Sequence, residues 1–170
     1  MELEKNLGQI GIIGNGSWGT ALAKILTDNG LKIHWWVRNQ EAVNFLKQRH
    51  HNPHYLTSVH FVADTILPTT DLSFVLNQCD TVIIAVPSAY AQGVIEQVPA
   101  GQWQNKNIIS AIKGILPDAL LLLNDYLTER LNFPLKNYIS IMGPCHAEEW
   151  LRSGFLILPF RGWMTDWLRQ

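Results

Sequence analysis

The chain has 170 residues, 47% hydrophobic and 16% charged, with a formal net charge of −1. That length suits one domain with a real core and falls short of two ordinary ones. The balanced charge gives no pull toward nucleic acid or a membrane surface, MELEKN lacks the basic start and apolar stretch of a signal peptide, and no apolar run reaches membrane-spanning length.

GQIGIIG is an apolar, β-branched run ending in glycine and predicts the first strand. Residues 18–29 place Trp18, Ala21, Leu22, Ile25 and Leu26 at helical spacing, and Gly30 closes that helix. LKIHWWV predicts a second strand and NQEAVNFLKQR a second helix. HHNPHYL reads as a loop, with a short strand expected over 59–62. TDLSFVLNQC reads as a short helix capped by Thr70 or Asp71. DTVIIAV is the clearest buried strand, continuous in the way of a parallel sheet covered on both faces, and Pro87 stops it. Residues 89–97 are expected to be helical, and NIISAI is the next strand. A helix capped by Asp118 should carry Leu120, Leu123, Leu127 and Leu131, and YISIM closes the series as a strand. Strands alternating with helices over short connections predict a doubly wound α/β fold with a mainly parallel sheet.

The glycines Gly14, Gly16 and Gly19 form GxGxxG between the first strand and the first helix. In that setting Gly14 permits the tight turn, Gly16 lets the backbone approach a pyrophosphate, and Gly19 lets the helix pack against the strand. The helix N-terminus adds unpaired N–H groups and partial positive charge. A site restricted to NAD has an acidic residue at the end of the second strand. Arg38 stands there instead and suits a 2′-phosphate, so NADP(H) is expected to be accepted alongside NAD(H).

Lys113, in SAIKGI, follows a buried strand, where ligands of open α/β sheets bind. Gly143, Cys145 and His146 end the next strand in SIMGPCHAEE. Adjacent side chains in a turn diverge, so Cys145 and His146 are not read as a nucleophile and base. His50, His51 and His54 lie in a polar loop that suggests no fourth ligand, so no metal is assigned. Cys79 and Cys145 lack CxxC spacing and fit neither a disulfide framework nor a zinc site, which sets a reducing, cytoplasmic expectation. A short-chain reductase would need Tyr-x-x-x-Lys, and the sequence has none.

GNGSWGTALA, AVPS, SAIKGI and GPCHAEE, in this order, resemble NAD(P)-dependent glycerol-3-phosphate dehydrogenase across residues 10–149. The resemblance implies a Rossmann-type domain and the interconversion of dihydroxyacetone phosphate and sn-glycerol 3-phosphate for phospholipid synthesis. It implies cofactor contacts at Ser17, Trp18, Arg38, Lys113 and Ala147, and substrate contacts at Lys113, Gly143 and Cys145. Cys145 replaces the family's small hydroxyl residue, and a thiol donates a weaker hydrogen bond. The family's proton-transferring lysine lies in a helical second domain, so no catalytic residue is assigned here.

From Trp150 the composition changes. The stretch holds three of the seven tryptophans, Arg152, Arg161 and Arg169, and no lysine. The expected organisation is a nucleotide-binding domain over 8–149 and an unrelated tail over 150–170. Loss of one base at Glu149–Trp150 turns Glu-Val-Ala into Glu-Trp-Leu, so a frameshift is one expected origin; a divergent amphipathic tail is the other. Phe155, Leu156, Ile157, Phe160 and Trp163 would then cover the sheet or drive self-association. Two functional readings stand at this stage: the dehydrogenase, and a dinucleotide-binding remnant without turnover.

Overall fold

A computed structural model describes residues 7–141. In chain order the elements are β1 (Ile10–Ile13), α1 (Ser17–Asp28), β2 (Ile33–Trp36), α2 (Gln40–Arg49), β3 (Ile66–Thr69) and α3 (Leu72–Gln78). Then come β4 (Thr81–Ile84), α4 (Ser88–Ile95), β5 (Asn107–Ser110), α5 (Leu123–Leu131) and β6 (Tyr138–Ser140). The strands form one sheet, ordered β3-β2-β1-β4-β5-β6, and every pairing is parallel. This is the predicted doubly wound α/β architecture.

Neighbouring residues on a strand point to opposite faces, so a sheet apolar at every position must be covered twice. Ile12, Trp35, Ile83 and Ile109 pack on one face with Leu22 and Leu26 of α1 and Val43 and Leu46 of α2. Ile13, Trp36, Val82, Ile84 and Ile108 pack on the other with Val75 of α3, Val94 of α4 and Leu127 of α5. Each such side chain taken out of water contributes ~1.5–3 kcal/mol. The first helix ends as expected: the Gly30 N–H donates to the Thr27 carbonyl at 3.0 Å and the Leu31 N–H to Leu26 at 3.1 Å.

Two expectations require correction. The third strand is Ile66–Thr69, not 59–62, where His60 makes only an isolated bridge to His51. β3 contains Pro68, tolerable because this strand is at the sheet edge and pairs only with β2. Asp118 does not cap the last helix. That helix starts at Leu123 after Leu122, because Leu116 and Leu121 first close an antiparallel bridge. The bridge buries Leu116 and turns Leu120 outward at φ +56°, so Leu120 never joins the helical stripe.

Candidate functional site

All strands run the same way, so the chain leaves β1, β2, β4 and β5 along one edge of the sheet. The order reverses between β1 and β4: the connection after β1 runs to β2 on one side, and β4 continues on the other. Such a switch point opens a crevice outside the carboxyl ends of the strands.

The glycine turn sits in that crevice. The Ala85 N–H donates to the Ile13 carbonyl at 2.8 Å and the Gly14 N–H to the Trp36 carbonyl at 3.1 Å, which ties the turn to both flanking strands. Gly14 has φ +110°, and a Cβ there would stand 2.7 Å from the Ala85 carbonyl oxygen. A Cβ at Gly19 would stand 2.3 Å from the Gly14 carbonyl oxygen, so α1 packs against the turn at the distance only glycine allows. Gly16 differs. It is the N-cap of α1, makes no side-chain cap bond, and a Cβ there would meet nothing within 4 Å. The first turn of α1 carries no acidic residue to neutralise its positive end.

Four of the other proposed contacts, Ser17, Trp18, Arg38 and Lys113, follow the carboxyl ends of β1, β2 and β5. Ser17 and Trp18 are half-buried in the first turn of α1. Arg38 is exposed just beyond β2, and Asn39 follows as the N-cap of α2, accepting the Ala42 N–H at 2.8 Å. Lys113 is exposed beyond β5, next to Gly114 at φ +78°. Its Nζ lies 6.0 Å from the centre of the Trp18 ring, which joins two residues read separately in the sequence. Gly143, Cys145, His146 and Ala147 lie outside the described residues.

Sequence reasoning missed the residues behind the turn. The Trp35 indole N–H donates to the Gly14 carbonyl at 2.9 Å. Asn52 is fully buried, and its Nδ2 donates to the Asn15 carbonyl and to Thr20 Oγ1, both at 2.8 Å. The one available signal was Asn-Pro inside an otherwise histidine-rich loop, which marks a turn and not a burial. The histidines near it take other roles. His50 ends α2 in a left-handed conformation, and His51 packs edge-on against Phe45 with ring centres 4.9 Å apart. Among the described residues, no group of three His, Cys, Asp or Glu could hold a metal. Cys79 is buried, and that burial pushes its thiol up to about 12, far from a working nucleophile. A separate cleft of about 580 Å³ runs along β2 and β3, lined by His34, Asp64, Asp71 and Phe74 among others, and includes no residue of the glycine turn.

Comparison with known proteins gives the family. Residues 9–155 match the model of the NAD-dependent glycerol-3-phosphate dehydrogenase N-terminus. The chain belongs to the glycerol-3-phosphate dehydrogenase family. Glycerol-3-phosphate dehydrogenase [NAD(P)+] of Bacillus licheniformis is 34% identical over 142 residues, covering 83% of this chain and 41% of that protein. The Streptococcus pneumoniae protein of the same name is 34% identical over 141 residues, 82% of this chain and 41% of its own. The crystal structure of the Coxiella burnetii glycerol-3-phosphate dehydrogenase superposes with a TM-score of 0.72 at 29% identity, over 85% of this chain and 43% of that one. The Plasmodium falciparum enzyme gives 0.70 at 26% identity, over 87% and 44%. The chain thus spans about two-fifths of the length of the dehydrogenases it matches. No described helix is long and apolar enough to cross a membrane.

Proposed function

We propose that this chain binds a nicotinamide adenine dinucleotide in the crevice between β1 and β4, as the cofactor-binding part of a reaction that interconverts dihydroxyacetone phosphate and sn-glycerol 3-phosphate. The open side of Gly16 carries this reading. Two glycines of the turn are closed off by neighbouring backbone, while the middle one faces space with nothing within 4 Å of where its Cβ would lie. A pyrophosphate fits that cradle, at the unneutralised N-terminus of α1.

The roles follow from position. The backbone of Gly14, Gly16 and Ser17 would hold the pyrophosphate, with Gly19 keeping α1 close. Arg38 would meet the adenosine end and its 2′-phosphate, so NADP(H) is used as well as NAD(H). Trp18 would pack beside the cofactor. Lys113 would lie near both the cofactor and the substrate oxygen and stabilise negative charge developing there. Ala147 would complete the cofactor contacts, and Gly143 and Cys145 those of the glycerol phosphate, within a nucleotide-binding unit over 8–149. When bound, the reduced nicotinamide supplies the hydride.

Fluorescence titration with NADPH should show saturable binding. Arg38→Ala should weaken NADPH by about tenfold and NADH by much less, since only NADPH has the 2′-phosphate. Equal affinity of wild type and variant for NADPH would refute the role of Arg38, and no binding by the wild type would refute the site. NADPH consumption with dihydroxyacetone phosphate separates the dehydrogenase from the second reading. That reading is binding without turnover.

A further inference from the structure

Three successive carbonyls of the glycine turn are each held by a donor from the protein interior. The Gly14 oxygen accepts from Trp35 Nε1 at 2.9 Å. The Asn15 oxygen accepts from Asn52 Nδ2 at 2.8 Å. The Gly16 oxygen accepts from Thr20 Oγ1 and from the Thr20 N–H, both at 2.9 Å. The same Thr20 hydroxyl accepts the second Asn52 Nδ2 proton at 2.8 Å. Asn52 Oδ1 receives the N–H groups of His54 and Tyr55 at 2.9 and 3.2 Å. Both amide protons and both oxygen lone pairs of Asn52 are therefore used, and its amide has one orientation.

In a trans peptide the carbonyl and the following N–H point in opposite directions. Carbonyls pulled inward leave the N–H groups of Asn15, Gly16 and Ser17 turned outward, on the side where Gly16 meets open space. We propose that Asn52 is the positioning residue of the dinucleotide turn, acting through the Asn15 carbonyl and the Thr20 hydroxyl to aim the Gly16 and Ser17 N–H groups at the pyrophosphate. The ligand assignment rests on the dinucleotide reading above; the aiming of the amides does not.

Asn52→Asp keeps the acceptor half of the side chain and loses both donors. Thr20→Val removes the relay hydroxyl without adding charge, and Thr20→Ser restores it. The probes are NADPH and adenosine 2′-phosphate, which has no pyrophosphate. Thr20→Val should weaken NADPH about fivefold, the worth of one hydrogen bond, and Asn52→Asp by more. Thr20→Ser should bind like wild type, and adenosine 2′-phosphate affinity should hold in every variant. The Asn15, Gly16 and Ser17 amide resonances should shift in Thr20→Val and Asn52→Asp and return in Thr20→Ser. Parallel loss of both ligands with a lowered melting temperature would overturn the proposal in favour of a purely structural role. Wild-type amide shifts in both variants would overturn it whatever the chain binds. Failure of the wild type to bind NADPH, with the amides still responding, would overturn the dinucleotide reading and the pyrophosphate as the target.

Discussion

At Gly14 the backbone demands glycine, because φ is +110° and a Cβ would stand 2.7 Å from the Ala85 carbonyl oxygen. Neither the strain nor the overlap can relax without moving β4. Gly14→Ala should therefore destabilise the fold by ~3 kcal/mol. Gly16 is under no such demand, since its φ is −70° and its Cβ would meet nothing. Gly16→Ala should leave stability within ~1 kcal/mol of wild type. Its methyl would occupy the cradle, and NADPH affinity should fall by at least about tenfold, ~1.4 kcal/mol. Thermal unfolding and NADPH titration of the two variants test the distinction. A Gly16→Ala protein that binds NADPH normally would remove the cradle from the site. The motif was legible because its glycines fall between a strand and a helix. The division of labour among them was not, since it depends on Ala85, a residue distant in sequence.

At the scale of the element, local signals succeeded where side chains contact their own backbone. Asp71 was one of two candidate caps, and it is the one used: its Oδ1 accepts the Phe74 N–H at 2.8 Å. Asp71→Ala should cost about 1 kcal/mol in chemical denaturation, with Asp71→Asn close to wild type. An unchanged midpoint in the alanine variant would show that packing of Leu72 and Val75 holds α3 unaided. Local signals failed where tertiary contacts set the boundary. The leucine spacing from Leu120 predicted a helix beginning at Asp118. A bridge between Leu116 and Leu121, which leaves Leu116 fully buried, delays the helix to Leu123. Likewise the strand expected over 59–62 lies at Ile66–Thr69, where the edge position beside β2 accommodates Pro68.

For the whole molecule, the doubly covered sheet also creates a pH liability. His34 lies on β2 between Gly11 and Leu67, with its ring against Phe74, and its Nδ1 is buried without a hydrogen-bond partner. Burial lowers its pKa below the ordinary value. The folded state thus takes up the proton less readily than the unfolded chain. This contribution to stability is complete above the ordinary value and is lost as pH falls through and below it. Melting temperature should drop between about pH 7 and pH 5, and His34→Gln should flatten that slope. Equal slopes would assign the acid sensitivity elsewhere. From the amino-acid order alone came the alternation of strands and helices, the glycine turn and the family, because strand burial, glycine spacing and capping are written in residues close together. Tertiary structure decided which strand closes the edge, that Lys113 lies over Trp18, and that Asn52 stands behind the turn. Those facts depend on contacts between residues far apart in the chain, which form only when the parallel strands bring their carboxyl ends to one edge.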